Sequence, residues 1–167
     1  MSASAMSPTL LLFLLLLGAA LVWDFMWLRI PNWISLTLVG LFVVAALPAQ
    51  HPLNWWLSHL AAGLAVLAVG IALFAWRKIG GGDAKLLAAV ALWAGLGLLP
   101  SLFVVIGLIN GAVALAYLTG RASNVGTYLA GRGLTIASLQ PGKDFPFAIA
   151  AAIGCFLLRA DLVLVGP

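Results

Sequence analysis

Long apolar runs separated by short polar interruptions organise the whole chain. Residues 9–23 are almost wholly apolar and end at Asp24, where a short connection follows: Asp24-Phe25-Met26-Trp27-Leu28-Arg29-Ile30-Pro31-Asn32. Pro31 biases Ile30 away from helix and suits the first turn of the helix after it. Residues 33–47 form a second run, closed by Pro48-Ala49-Gln50-His51-Pro52, and 55–76 a third. The stretch 84–119 carries no charge except Lys85. As one helix it would be about 54 Å long, too long for a single crossing of a hydrocarbon core of about 30 Å and enough for two. Gly95-Leu96-Gly97-Leu98-Leu99-Pro100-Ser101 supplies the break. Residues 120–144 are more polar and glycine-rich, and are expected to be a mobile loop or to lie along the membrane surface; 145–165 form the last run. The pattern predicts an all-α membrane protein of six transmembrane helices, one domain over residues 1–167, with no separate soluble or zinc-binding domain.

Composition rules out an ordinary soluble domain. Hydrophobic residues make up 65% of the chain and charged residues 7%, against roughly 25% charged in soluble proteins. The mean hydropathy is +1.20. A net charge of +4 is spread over scattered residues with no basic stripe, so it argues for loop charges and against a nucleic-acid partner. Arg29, then Arg77, Lys78 and Lys85, then Arg121, Arg132 and Lys143 fall in the first, third and fifth connections. Under the positive-inside rule those connections face the cytoplasm and the N-terminus lies outside. Merging 84–119 into one span would put three of these residues on the wrong side. Trp23, Trp27 and Trp33 fit an interfacial belt. No Lys or Arg precedes the first run, which separates it from a secretory signal. Cys155 stands alone in an apolar run, so there is no disulfide framework. His51 and His59 have no carboxylate nearby in sequence and read as interfacial packing; no metal and no cofactor are expected.

One stretch carries the candidate chemistry: Arg77-Lys78-Ile79-Gly80-Gly81-Gly82-Asp83-Ala84-Lys85. It holds three consecutive glycines and one of the four acidic residues in the chain. A carboxylate at the edge of a bilayer is costly and therefore a functional candidate; the bland alternative is a helix N-cap after a glycine turn. The predicted topology puts Asp24 and Asp83 near the same cytoplasmic face at similar depth. Two carboxylates brought together share one proton, so that the ionised one can deprotonate a water while the neutral one polarises a peptide carbonyl. Glycines before Asp83 would let an extended substrate backbone approach. Spacing alone does not bring the two carboxylates together.

These residues resemble a known family. Gly80-Gly81-Gly82-Asp83 fits the GxGD signature shared by presenilin and the type IV prepilin peptidases, and Asp83-Ala84-Lys85-Leu86 continues the match. Arg29-Ile30-Pro31-Asn32 after Asp24 is similar to the prepilin peptidase pattern of an acid, a short basic stretch and Ile-Pro-Asn. Pro146-Phe147-Ala148-Ile149-Ala150 is similar to the family's last shared stretch, without the Gly often found there. The resemblance implies an aspartyl endopeptidase of the bacterial inner membrane that removes the leader peptide of type IV prepilin-like precursors on the cytoplasmic side, for pilus assembly or secretion. Asp24 and Asp83 would be the catalytic pair, with Gly80, Gly81, Gly82, Ile30, Pro31, Asn32, Lys85 and Pro146 as candidate substrate contacts. The partners implied are the precursor protein and the lipid bilayer. The four-cysteine zinc segment of the long bifunctional members is absent, so the chain looks like the short form of tight-adherence pilus systems, with methyl transfer in doubt.

The rival reading is a small polytopic transporter or assembly subunit. Asn110, inside the predicted fifth span, would then be a substrate ligand, although interhelical hydrogen bonding is the commoner use. Within the protease reading the rival acid is Asp144, beside Lys143 and better suited to a loop ion pair or a helix cap. Lys85, two residues past Asp83, would not share its helix face; a lipid headgroup is the simpler contact for it. Arg29, Arg77 and Lys78 read as orientation charges.

Overall fold

The computed structural model describes residues 8–121 together with 128, 131–133 and 155. Its elements are helical: α1 Pro8–Trp27, α2 Asn32–Ala46, a 3-10 turn Leu47–Ala49, α3 Leu53–Ala75 and α4 Gly81–Arg121. Among the described residues, four helical stretches are long and apolar enough to cross a membrane: Pro8–Trp27, Asn32–Ala49, Leu53–Ala75 and Gly81–Leu115. The sixth predicted span, 145–165, lies outside the described residues except for Cys155. That residue is helical and fully buried, in the same core as Phe13 and Leu17 of α1. Most of the predicted loop also lies outside them, although α4 continues through Arg121 and so takes in its first two residues.

The first helix runs further than its apolar pattern predicts. Nothing in Phe25-Met26-Trp27 breaks a helix, so α1 continues past Asp24 and ends where Leu28 turns left-handed at φ 52, its N–H still donating to Asp24 O at 2.8 Å. Asp24 therefore sits in the last turn of a helix, 4% exposed, and not at the start of a loop. Pro31 stands immediately before α2 in extended conformation, as its fixed φ favours. Trp23, Trp27 and Trp33 cluster at this end, with ring centroids 4.9 Å and 6.5 Å apart.

The third helix closes with paired backbone hydrogen bonds. Arg77 N–H donates to Phe74 O and Lys78 N–H to Leu73 O, each at 2.9 Å, with Arg77 left-handed at φ 56. This is the Schellman arrangement, with an arginine where glycine is usual.

The predicted break in the long apolar run falls on Gly95. Its φ of 64 and ψ of 175 interrupt α4, in a region open essentially only to glycine. The following N–H, of Leu96, donates to Ser58 Oγ at 3.2 Å, which satisfies a group that hydrocarbon could not. Asp83 and Asn110 line one cleft, whereas in an unbroken helix they would lie about 40 Å apart. The chain thus turns back at Gly95 into two antiparallel legs, 81–94 and 96–121. Pro100 lies five residues past Gly95, early in the second leg.

The first leg is the pillar of the bundle. Ala84, Leu86 and 88–94 are buried. Trp93 packs on Phe13 of α1 at 4.6 Å and Phe42 of α2 at 5.7 Å, and its indole N–H donates to Leu38 O at 3.0 Å. Small residues let it approach α3, with Ala84 against Gly70 and Leu92 against Gly63, the packing mode that lipid-embedded helices favour. His59 hydrogen-bonds Leu92 O through Nδ1 at 2.8 Å, and both His59 and His51 lie against the Trp55 ring, at 4.0 Å and 3.8 Å.

The reversal generates a test. A Cβ on residue 95 would lie 2.8 Å from His59 Cε1, on a backbone that L-residues avoid. Gly95→Ala is expected to destabilise the protein by about 2–4 kcal/mol, read as a lower unfolding midpoint in detergent. Gly97→Ala, where a Cβ meets nothing within 4 Å, should be close to neutral.

Candidate active site

The last turn of α1, the end of α3 and the first turn of α4 converge on a cleft of about 880 Å³. Asp24 lines it from α1 and Leu28 from just past its end, Phe74 and Ala75 from α3, the linker contributes Arg77, Lys78, Ile79 and Gly80, and α4 adds Asp83 and Asn110. Asp24 is buried and Asp83 half-buried, whereas Arg77 and Lys78 are exposed. The two carboxylates face a common space, and the two cations flank it from the linker.

The glycine stretch sets Asp83 by local hydrogen bonding. Ala84 N–H bonds Gly80 O at 3.1 Å, and Asp83 Oδ2 accepts from Gly80 N–H at 3.2 Å. Asp83 is therefore the third residue of the helix, reaching back to the capping residue as the acid of a capping box does, and not itself the N-cap. The N-terminal end of the helix dipole favours a negative charge in that turn.

The remaining sequence candidates separate. Gly80 lines the cleft, whereas Gly81 lies against the Phe74 ring. Gly82 faces the chain itself: a Cβ there would meet Ile30 Cβ at 3.0 Å and its backbone O and N at 3.2 and 3.3 Å. Ile30 is buried by that contact, with Pro31 beside it half-buried. Asn32 and Lys85 face a second cavity, where Lys85 Nζ donates to Asn32 Oδ1 at 2.9 Å. Pro146, Asp144 and Asp161 lie outside the described residues.

Asn110 is the residue that sequence reasoning undervalued. Its Oδ1 is buried without a hydrogen-bond partner among the described residues, so this atom does not make the interhelical bond expected of it there. The signal was its spacing: Asp83 lies 12 residues before Gly95 and Asn110 15 after it, so a reversal at Gly95 brings the two within about one helical turn of each other along the bundle. No group of three or more His, Cys, Asp or Glu is gathered among the described residues.

The site is thus a cleft in a helical, membrane-type bundle with two carboxylates on its lining. Residues 11–116 match the model of the type IV leader peptidase family, and the chain belongs to that family. The match takes in Asp24, the glycine stretch, Asp83 and Asn110. No curated protein and no solved structure matches the chain.

Packing of Gly82 on Ile30 joins the first loop to the start of α4, which makes it testable. Gly82→Ala is expected to push the loop 28–31 away, with a stability loss of about 1–3 kcal/mol and faster hydrogen exchange at Leu28 to Ile30. Unchanged exchange there would refute the contact.

Proposed function

We propose that this chain is a membrane-embedded aspartyl endopeptidase that removes the leader peptide of type IV prepilin-like precursors at the cytoplasmic face of the bacterial inner membrane, for pilus assembly or secretion. Asp24 and Asp83 lining one cleft, in a chain of this family, is the observation that carries the reading. Both carboxylates stand in the terminal turns of their helices beside a linker, a position that suits hydrolysis of a peptide arriving from water. A transporter would instead need polar groups along a path through the midplane.

In the proposed mechanism one carboxyl is ionised and the other protonated. The ionised member takes a proton from water as the water oxygen attacks the scissile carbonyl carbon. The neutral member gives its proton to the carbonyl oxygen, forming a tetrahedral intermediate. Collapse breaks the C–N bond: the carboxyl that took the proton from water gives it to the departing amine, and a hydroxyl of the intermediate returns its proton to the other carboxylate, which restores the dyad. Gly80 offers the extended substrate an edge with no side chain, and Asn110 Oδ1 accepts a substrate backbone N–H. Arg77 and Lys78 belong to a connection that faces the cytoplasm.

Asp24→Asn and Asp83→Asn should each lower leader cleavage by about a hundredfold or more, with the protein still folded in the membrane. The double variant should be no worse than either single one, because the two act as a unit. Asn110→Ala should lower kcat/KM about tenfold, the size of one hydrogen bond, and Asp144→Asn and Asp161→Asn should retain most activity. The assay is co-expression with candidate precursors and a gel shift for leader removal. Wild-type-like cleavage by either Asp24→Asn or Asp83→Asn would sink the assignment.

Orientation is tested separately. Reporter fusions after Arg77 and near Arg132 should report cytoplasm, and one near His51 the opposite side. A cytoplasmic His51 would overturn the placement of the cleft.

A further inference from the structure

We propose that the groove between α2, α3 and the first leg of α4 binds one anionic phospholipid, with its phosphate at Lys85 and an acyl chain along the groove. The groove encloses about 440 Å³ and is separate from the carboxylate cleft, with no lining residue in common. Its chemistry is graded along its length. Asn32 and Lys85 stand at one end, and Val39, Leu60 and Leu92 at the other. From Asn32 to Val39, and from Lys85 to Leu92, is about 10 Å of helix rise. The antiparallel α3 brings Leu67 level with the polar end and Leu60 level with the apolar end. Its rim is open to the side, with Leu36 70% and Leu64 64% exposed.

Three features match a phospholipid. Lys85 is exposed and has three N–H donors, of which Asn32 Oδ1 takes one at 2.9 Å, so the ammonium can still donate to a phosphate. One turn deeper, Ser35 lines the groove at 7% exposure, its Oγ buried without a hydrogen-bond partner among the described residues. An unmade hydrogen bond is costly in an apolar setting, and a glycerol ester carbonyl lies one step below a phosphate, where this hydroxyl can donate to it. The remaining lining suits a hydrocarbon chain. A hydrophobic peptide helix would bring no anion to Lys85.

The test is native mass spectrometry of the full chain in a non-ionic detergent, titrated with dioleoyl phosphatidylglycerol or dioleoyl phosphatidylcholine. The wild type should retain one phosphatidylglycerol with at least tenfold preference. Lys85→Gln, which keeps a donor for Asn32 and removes the charge, should abolish the preference. Ser35→Ala should weaken retention of both lipids several-fold, and Val39→Phe, which fills the groove from its partly exposed wall, should prevent it. Circular dichroism and elution volume verify the fold of each variant. Equal retention of the two lipids by the wild type, a preference that survives Lys85→Gln, or one-for-one displacement of the lipid by a hydrophobic helical peptide would each overturn the proposal. None of these readouts depends on peptidase activity.

Discussion

The close approach of the first leg of α4 to α3 sets the geometry on which the rest depends. In lipid there is little hydrophobic force between helices, so van der Waals contact and satisfied polar groups must hold them together. Gly70 against Ala84 and Gly63 against Leu92 bring the two backbones near each other, which lets His59 reach Leu92 O and Ser58 reach Leu96 N–H. Those two bonds secure the end where Gly95 reverses the chain. At the other end the same seam presents Asp83 beside the end of α3. Trp93 then ties the pillar to α1 and α2 through Phe13, Phe42 and Leu38 O.

The cleft is framed by backbone that is not at ease. Of the three non-glycine residues with positive φ among the described residues, Leu28 and Arg77 line it. Each closes the helix before a short linker, in a conformation that costs about 1–2 kcal/mol for an L-residue. Such strain persists only where surrounding contacts hold it, and it concentrates at functional sites. Here the contacts are identifiable: the Leu28 bond to Asp24 O, the paired bonds that close α3, and the burial of Ile30 against Gly82. The result is a pair of tight linkers beside the cleft that Asp24 and Asp83 line.

Much of this was legible in the residue pattern. The apolar runs, the tryptophan cluster and the glycine stretch mark the helices and their ends, because membrane spans announce themselves by length and lack of charge. Helix ends were legible only where a breaker stood. Between Asp24 and Pro31 there is none, so α1 overran its polar residue and took Asp24 inside. Gly95, Gly97 and Pro100 were equal candidates for the reversal, since local sequence does not show which of them faces a histidine ring. Gly82 read as room for a substrate, and the structure fills that room with Ile30. Helices that are apolar all round show little of their inward face, so the place of Asn110 in the cleft emerges only once the two legs are laid side by side.

Asp83 and Lys85 show how one helical turn can serve two surroundings. At about 100° per residue they point roughly 200° apart. Asp83 faces the cleft framed by the linkers, and Lys85 faces the groove between α2 and α3. Had the spacing been three or four residues, the ammonium would have lain on the carboxylate's own face, where a permanent ion pair would oppose the proton exchange a dyad requires. A spacing of two keeps the cation in the first turns of the helix while removing it from the face of the acid. The Lys85 bond to Asn32 then fixes α2 to α4, on the side of the helix opposite the contact through which Gly80 holds Asp83. The first turn of α4 is thus restrained from both sides, which is what a carboxylate needs if it is to meet a second one carried by a different helix.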